Sequence, residues 1–263
     1  MRVARKNGRR AARGVRWALV VTMLASATVA RADSDLGSRK KKIESMDRAP
    51  SAEGKARKQR SEAVLRAEAV PVNAALPVIE TESKARRRSK EEVAHRALAL
   101  LVVAVKGEGL DQATTQKIAK QYALEPYFTP KERAFLEDAS PPYEDRVQFS
   151  WRYEAAWTLL WALGFVDKLE KPSKICDVPL AVRLMKERTA QKFIADSKLR
   201  PLQEILDQAD RIYRYHWAVV DARVKGKEPP AGLDPGVTQE RHHALNWLIG
   251  YMDQAWDDIS TDT

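Results

Sequence analysis

The spacing of apolar side chains changes near residue 90, and from there onward it follows the three-to-four-residue period of a helix. Ser89 and Glu92 form a capping-box pattern just before this change, and Gly107 follows the first apolar run. Thr129 begins a second pattern of this kind. The predicted helices cover residues 89–107, 111–122, a short stretch from 129, 145–166, 179–195 with a break at 188–190, 201–226, and 237–253 or slightly beyond.

The helix predicted over residues 145–166 has apolar side chains on nearly every side. Trp151 belongs to one apolar face, and Trp157 and Trp161 lie beside it. A helix of this kind belongs in the middle of a bundle. No run alternates with a period of two for long enough to indicate a strand. We therefore predict an all-α fold, a single bundle of about seven helices over residues 90–263.

The composition of residues 33–89 differs from that of the helical region. Large apolar side chains are few, charged residues are many, and Pro50, Pro71 and Pro77 interrupt the segment. Such a composition does not offset the entropy lost on ordering. We predict that residues 33–89 form a disordered basic linker.

Residues 1–32 have the order of a secretory signal peptide. A basic stretch without acids precedes an apolar run over 17–30, and Ala30-Arg31-Ala32 follows as a small-residue cleavage pattern. We predict cleavage after Ala32, export to the periplasm or beyond the cell, and no transmembrane helix after cleavage. The alternatives are an uncleaved anchor or an Arg-rich organellar transit peptide.

The formal net charge of +10 is unevenly distributed along the chain. Residues 1–32 carry eight basic residues and no acids, and residues 33–89 carry fourteen basic and nine acidic residues. The remaining twenty-four basic and twenty-seven acidic residues give residues 90–263 a net charge of −3. We therefore expect no nucleic-acid partner for the helical domain. The linker could contact anionic surfaces weakly, or it could act only as a solvated spacer.

Three blocks centred on tryptophan carry a resemblance to a known family. They are Arg152-Tyr153-Glu154-Ala155-Ala156-Trp157 through Leu160-Trp161-Ala162-Leu163-Gly164, Tyr213-Arg214-Tyr215-His216-Trp217, and Glu240-Arg241-His242 through Asn246-Trp247-Leu248 to Trp256-Asp257-Asp258. Together they resemble the bacterial domain of unknown function 4272 family over nearly all of residues 90–263. The resemblance implies a helical domain and carries over no reaction, substrate or catalytic residue.

Glu154 falls on the same helical face as Trp157 and Trp161 and is expected to lie inside the bundle. A buried, unpaired carboxylate is costly. It must therefore pair with a cation such as Arg214 or Arg241, or retain its proton and serve as a general acid. A structural ion pair is the favoured interpretation.

Two histidines and an aspartate complete the catalytic candidates. His216 lies on the apolar side of its helix, where a satisfied core histidine is commoner than a base or metal ligand. His242 is turned toward the apolar side of the last helix, and Asp257 follows that helix. The polar stripe predicted there is His243, Asn246, Gly250, Asp253 and Asp257. The spacing fits neither a Ca²⁺ loop nor a zinc motif, so we predict no metal and no cofactor.

Five residues are the candidates for binding: Arg152, Trp157, Arg214, Arg241 and Asp258. The tryptophans are more often core than pocket walls. The single cysteine, Cys176, excludes an internal disulfide and is expected to be buried and inert, although a nearby helix start could lower its pKa.

Two functions remain open at this point. One is an exported, non-enzymatic module that binds a protein or envelope component. The other is an envelope hydrolase or metal-dependent enzyme using Glu154, His216, His242 and the aspartates around Asp257. Convergence of these residues in an open cleft would favour the enzyme, and dispersal or burial with partners would favour the module.

Overall fold

A computed structural model describes residues 50–79 and 81–263, and every regular element within these ranges is helical. The α-helices are α1 (Ala52–Ala67), α2 (Lys90–Glu108), α3 (Gln112–Gln121), α4 (Pro130–Glu137), α5 (Tyr143–Ser150), α6 (Arg152–Ala162), α7 (Val178–Lys186), α8 (Ala190–Asp196), α9 (Leu202–Val224) and α10 (Pro235–Leu248). Short 3-10 turns cover Glu125–Tyr127, Pro230–Gly232, Tyr251–Asp253 and Trp256–Asp258. The all-α fold class is confirmed.

The centre of the bundle is α2, which packs mainly against α6 and α5. The predicted capping box is present, because Ser89 Oγ accepts from the Glu92 amide at 3.1 Å and Glu92 Oε2 accepts from the Ser89 amide at 2.8 Å. The helix ends at Gly109 rather than at Gly107. Gly107 is instead a packing position, since a Cβ there would lie 2.6 Å from the backbone nitrogen of Ser150 in α5. The absence of a side chain lets these two helices approach closely.

The helix predicted over residues 145–166 is two helices, α5 and α6, which meet at Trp151. The residues of α5 are half-buried or exposed, whereas α6 is buried along nearly its whole length. The junction at Trp151 therefore separates a surface helix from a core helix. The predicted break near residue 188 is present between α7 and α8.

The last helix ends at Leu248, earlier than the predicted residue 253. Gly250 follows with a left-handed φ of +66°, and the carbonyl oxygen of Arg86 would lie only 2.7 Å from a Cβ at that position. Glycine satisfies both the backbone conformation and the close approach. The predicted polar stripe therefore does not continue as one helical face beyond Leu248.

The prediction of a disordered linker is wrong for the part of residues 33–89 that the structure describes. Residues 52–67 form α1, which packs along α9, and Arg57 and Arg60 both contact Asp207 of α9 at 3.1 and 2.7 Å. These ion pairs hold a helix that has few apolar side chains. The signal peptide, its cleavage after Ala32, and linker residues 33–49 lie outside the described residues.

The segment between α1 and α2 docks through its backbone. The amides of Arg86 and Arg88 donate to the carbonyls of Ile249 and Leu248 at 3.0 and 3.2 Å. This segment therefore covers the carboxyl end of α10. None of the helices in the described part of the chain combines the length and apolar character needed to cross a membrane.

Candidate functional site

The buried polar groups of the domain are concentrated where α6, α9 and α10 meet. The start of α10 follows from its sequence, because Asp234 Oδ1 accepts from the Val237 amide at 3.0 Å and Pro235 occupies the first turn. This start places Arg241 and His242 on the inner side of the helix, where they are 4 % and 2 % exposed.

Glu154 and Arg241 form a buried ion pair. Arg241 Nε donates to Glu154 Oε2 at 3.1 Å, and the backbone amide of Cys176 donates to Glu154 Oε1. Arg241 Nη1 also donates to the carbonyl of Glu170 at 2.8 Å. Of the two cations proposed from the sequence, Arg241 is therefore the partner of Glu154. In a buried pair of this kind, each group compensates the charge that the other would otherwise carry alone in the protein interior.

Arg214 has a different partner, Asp210, one turn earlier on α9. Its Nε and Nη2 donate to the two carboxylate oxygens at 2.9 and 2.7 Å, and Nη2 also donates to the Pro77 carbonyl at 3.2 Å. Both side chains are buried. The pair joins α9 to the segment that follows α1 and leaves Arg214 little freedom to bind a ligand.

Cys176 is buried beside Glu154. Burial, followed by the neighbouring Glu154 carboxylate, raises the pKa of the Cys176 thiol. The start of α7 is capped by Asp177, whose Oδ1 accepts from the Leu180 amide at 2.9 Å, and the pKa of Cys176 is raised despite this nearby helix start. The thiol is protonated at neutral pH and is a poor nucleophile.

His216, His242 and Asn246 form a hydrogen-bonded chain. The two histidine Nδ1 atoms are 2.8 Å apart, and Asn246 Nδ2 lies 3.1 Å from His242 Nε2. Asn246 Nδ2 also donates to the Ser260 carbonyl at 2.8 Å, which identifies this atom as the amide nitrogen. Asn246, a member of the predicted polar stripe, is thus buried.

The hydrogen bonds among His216, His242 and Asn246 determine which ring nitrogens carry protons. Because Asn246 donates to His242 Nε2, a neutral His242 must carry its proton on Nδ1 and donate it to His216 Nδ1. Burial and the charge of Arg223 lower the pKa of His216 to about 4, and burial lowers the pKa of His242 well below its ordinary value. Both rings are neutral at pH 7, and neither Nδ1 is free to accept a proton from a substrate.

The aspartates near the carboxyl terminus lie elsewhere. Asp257 lies at the start of α4, where its Oδ2 is 3.4 Å from the backbone nitrogen of Lys131, and Asp258 is exposed. No hydrogen bond or ion pair among the described residues joins either aspartate to His216 or His242. The four catalytic candidates are therefore not brought together at one reacting point.

The remaining binding candidates have structural contacts. Arg152 Nη1 lies 2.8 and 2.9 Å from the two carboxylate oxygens of Glu240, which ties α6 to α10. Trp157 is half-buried and packs against the core.

His243 is close to Trp256, with ring centroids 4.7 Å apart, and burial lowers the pKa of His243 to about 3. Within residues 50–79 and 81–263, no group of three or more His, Cys, Asp or Glu side chains is arranged to hold a metal ion.

An open cleft of about 390 Å³ lies beside the buried ion pair, and sequence reasoning did not identify it. Its walls include Arg241, Arg211, Tyr215 and Glu68, contributed by α10, α9 and the end of α1. Tyr215 Oη donates to Glu68 Oε2 at 2.5 Å, and burial, followed by this carboxylate, raises the pKa of Tyr215. Residues on α9 four positions apart face the same way, so Arg211 and Tyr215 could have been paired from spacing alone. The contribution of Glu68 could not, because that residue was assigned to the linker.

These features define a class of protein: an all-helical domain whose hydrophobic core encloses paired polar groups, with a cleft lined by its last two long helices. The chain belongs to the family described as "Domain of unknown function (DUF4272)", which matches residues 57–259. The match begins within α1, so most of this helix lies in the family domain. No curated protein and no solved structure matches the chain.

Proposed function

We propose that this protein is an exported, non-enzymatic helical module that binds a protein or another component of the cell envelope. The supporting observation is that Glu154, His216 and His242 are buried with partners inside the domain, whereas the neighbouring cleft stays open to solvent. Buried groups with complete hydrogen bonding serve packing and specificity, and an open concave surface serves recognition.

The envelope location rests on the amino-terminal sequence. A basic stretch, an apolar run and the Ala30-Arg31-Ala32 pattern occur in the order of a signal peptide. Intact-mass analysis of the protein from an envelope fraction should give a chain beginning at Asp33. Protein that retains Met1 and stays in the cytosol would contradict export.

The non-enzymatic role is tested on the full purified chain by metal analysis and by melting with and without EDTA. We expect no stoichiometric metal and no change in Tm. The rival function is an envelope hydrolase or metal-dependent enzyme. Stoichiometric metal that is lost together with stability in EDTA, or hydrolysis of an ester or peptide panel that is abolished by His242→Asn, would establish it instead.

A second histidine variant tests whether a loss of hydrolysis is specific to His242. His95 stacks on Tyr127, with ring centroids 3.8 Å apart, and lies in a different part of the domain. Any hydrolysis that survives His95→Asn but not His242→Asn would point to the His216–His242 pair as chemistry and overturn the proposal.

A further inference from the structure

Two arginines that line the cleft have donors without a protein acceptor. Arg241 uses Nε and Nη1 on Glu154 and Glu170, and its Nη2 has no acceptor among the described residues. The Nε of Arg211 is buried and likewise lacks an acceptor in residues 50–79 and 81–263. A guanidinium group whose donors lack protein acceptors can donate them to an anionic ligand.

Arg200, a third arginine of the same cleft, has a protein acceptor for each of its three guanidinium nitrogen atoms. Arg200 donates from Nε to the Trp161 carbonyl at 2.8 Å, from Nη1 to Glu204 at 3.0 Å, and from Nη2 to the Val166 and Asp167 carbonyls. Arg200 therefore acts as a structural clamp. The contrast identifies Arg211 and Arg241 as the groups available to a ligand.

The carboxylates of the cleft wall are largely engaged already. Asp207 contacts Arg57 and Arg60, Glu204 contacts Arg200, and Glu68 accepts from Tyr215. The exposed Asp167 and Glu170 are accompanied by Lys168 and Lys171 at the same cleft. The lining thus carries as many acidic as basic side chains, and its inner part is distinguished by the donors of Arg211 and Arg241 that have no protein acceptor in the described part of the chain.

The size and the apolar part of the cleft limit what can enter. A volume of about 390 Å³ is within the usual range for small-molecule sites. The apolar residues of the lining are Trp161, Leu169, Pro172, Ile212 and Leu245, and all except Leu169 are buried, so the apolar surface open to a ligand is small. A ligand that fits the cleft is small and carries an anionic group for the two arginines.

We propose that the cleft binds a small organic anion, whose carboxylate or phosphate group accepts hydrogen bonds from Arg241 and Arg211. Guanidinium groups match both oxyanions in geometry and charge. This inference rests on the proposed binding function and specifies the ligand class of that module.

The test is isothermal titration calorimetry of the full chain with probes that share one ring. Phenylacetate and phenyl phosphate carry the anion, 2-phenylethanol is neutral, and phenethylamine is a cation. We expect one saturable site per chain for at least one anion, with a Kd of about 1 mM or tighter. The two anions distinguish a carboxylate from a phosphate source, and the neutral and cationic probes should bind at least about tenfold more weakly.

Arg211→Gln is the decisive variant, because Arg211 is only half-buried and its loss leaves the Glu154–Arg241 pair intact. We expect at least about tenfold weaker anion binding at an unchanged Tm. Arg211→Lys keeps the charge without the planar fork and should lose less. Arg183→Gln is the matched control, since Arg183 is exposed on α7 and should leave binding unchanged.

Three results would overturn the inference: no saturable binding of either anion, equal binding of phenethylamine, or unchanged anion binding in Arg211→Gln and Arg211→Lys. If Arg211→Gln fails to fold, the inference is still tested by Arg211→Lys and by the uncharged and cationic probes on the unaltered chain. Absence of anion binding in a metal-free protein without turnover contradicts this inference alone. Stoichiometric metal or turnover contradicts the proposed function.

Discussion

Helices α1 and α2 begin alike and are held in the domain by different forces. Each starts after a serine, Ser51 or Ser89, whose hydroxyl accepts a backbone amide in the first turn. In α2, apolar side chains from Val93 to Ala104 supply most of the buried surface. In α1, Leu65 is the single large apolar side chain among the buried residues, which also include Arg57, Ser61 and Glu62.

The comparison shows that a helix start signal does not reveal how the helix is docked. Apolar burial has a periodic signature in the local sequence. Docking by ion pairs has none, because the partner Asp207 lies 150 residues beyond Arg57. Four predictions test this distinction between docking by apolar burial and docking by polar contacts, from the largest expected effect to the smallest.

Leu100→Ala in α2 should lower the free energy of unfolding of the whole domain by about 4 kcal/mol, because Leu100 is fully buried in the core. Urea unfolding followed by circular dichroism measures this change. Val224→Ala, at a side chain that is 78 % exposed, is the control and should change stability by less than about 0.5 kcal/mol. A loss below about 1 kcal/mol for Leu100→Ala would mean that α2 is not the centre of the cooperative core.

Acid should destabilise the domain through His216, a neutral polar group that joins α9 to α10. Its pKa is about 4 in the folded chain against an ordinary 6.5, so between these values the unfolded chain binds a proton that the folded chain excludes. The contribution to stability is complete above pH 6.5 and falls as the pH drops toward 4, by roughly 3 kcal/mol.

Urea unfolding at a series of pH values between 7.5 and 4 measures this loss, with His216→Gln as the comparison. The variant should be less stable at pH 7, and its stability should depend less steeply on pH. Parallel pH curves for the two proteins would show that His216 does not titrate in this way.

Arg57→Ala should release α1 while leaving α2 in place, at a cost of about 2 kcal/mol, because Asp207 keeps Arg60 as a partner. Hydrogen exchange should become faster in the amides of Ala52–Ala67 and stay unchanged in Lys90–Glu108. Lys55→Ala, at an exposed position of α1, is the matched control. Equal acceleration in both helices would indicate that they unfold as one unit.

Glu53→Gln should have the smallest effect, about 0.5 kcal/mol or less. Its carboxylate contacts Arg57 one turn away at 2.5 Å, and the Glu53 side chain is 36 % exposed, so solvent screens the pair. The same exchange measurement applies. A loss as large as that of Arg57→Ala would mean that α1 is held by its own internal pair rather than by α9.

Much of the fold could be predicted because its signals are local. The capping boxes at Ser89 and Thr129 and the break between α7 and α8 follow from a few adjacent residues. The pairing of Glu154 with a cation followed from the cost of a buried charge. That the cation is Arg241 rather than Arg214 could not be predicted in this way. Asp210 lies one turn from Arg214 and forms an ion pair with it, which leaves Arg241 as the partner of Glu154.

The sequence by itself determined that the chain is helical, where most helices begin, and that Glu154 lies inside, because hydrogen bonding, capping and apolar periodicity act over a few residues. Tertiary structure alone decided that α1 belongs to the domain, that α10 stops at Leu248, and that His216 meets His242. The physical reason is range: ion pairs, hydrogen bonds between helices and clefts form between residues far apart in the chain. The cleft that contains Arg211 and Arg241 exists only once distant helices have packed.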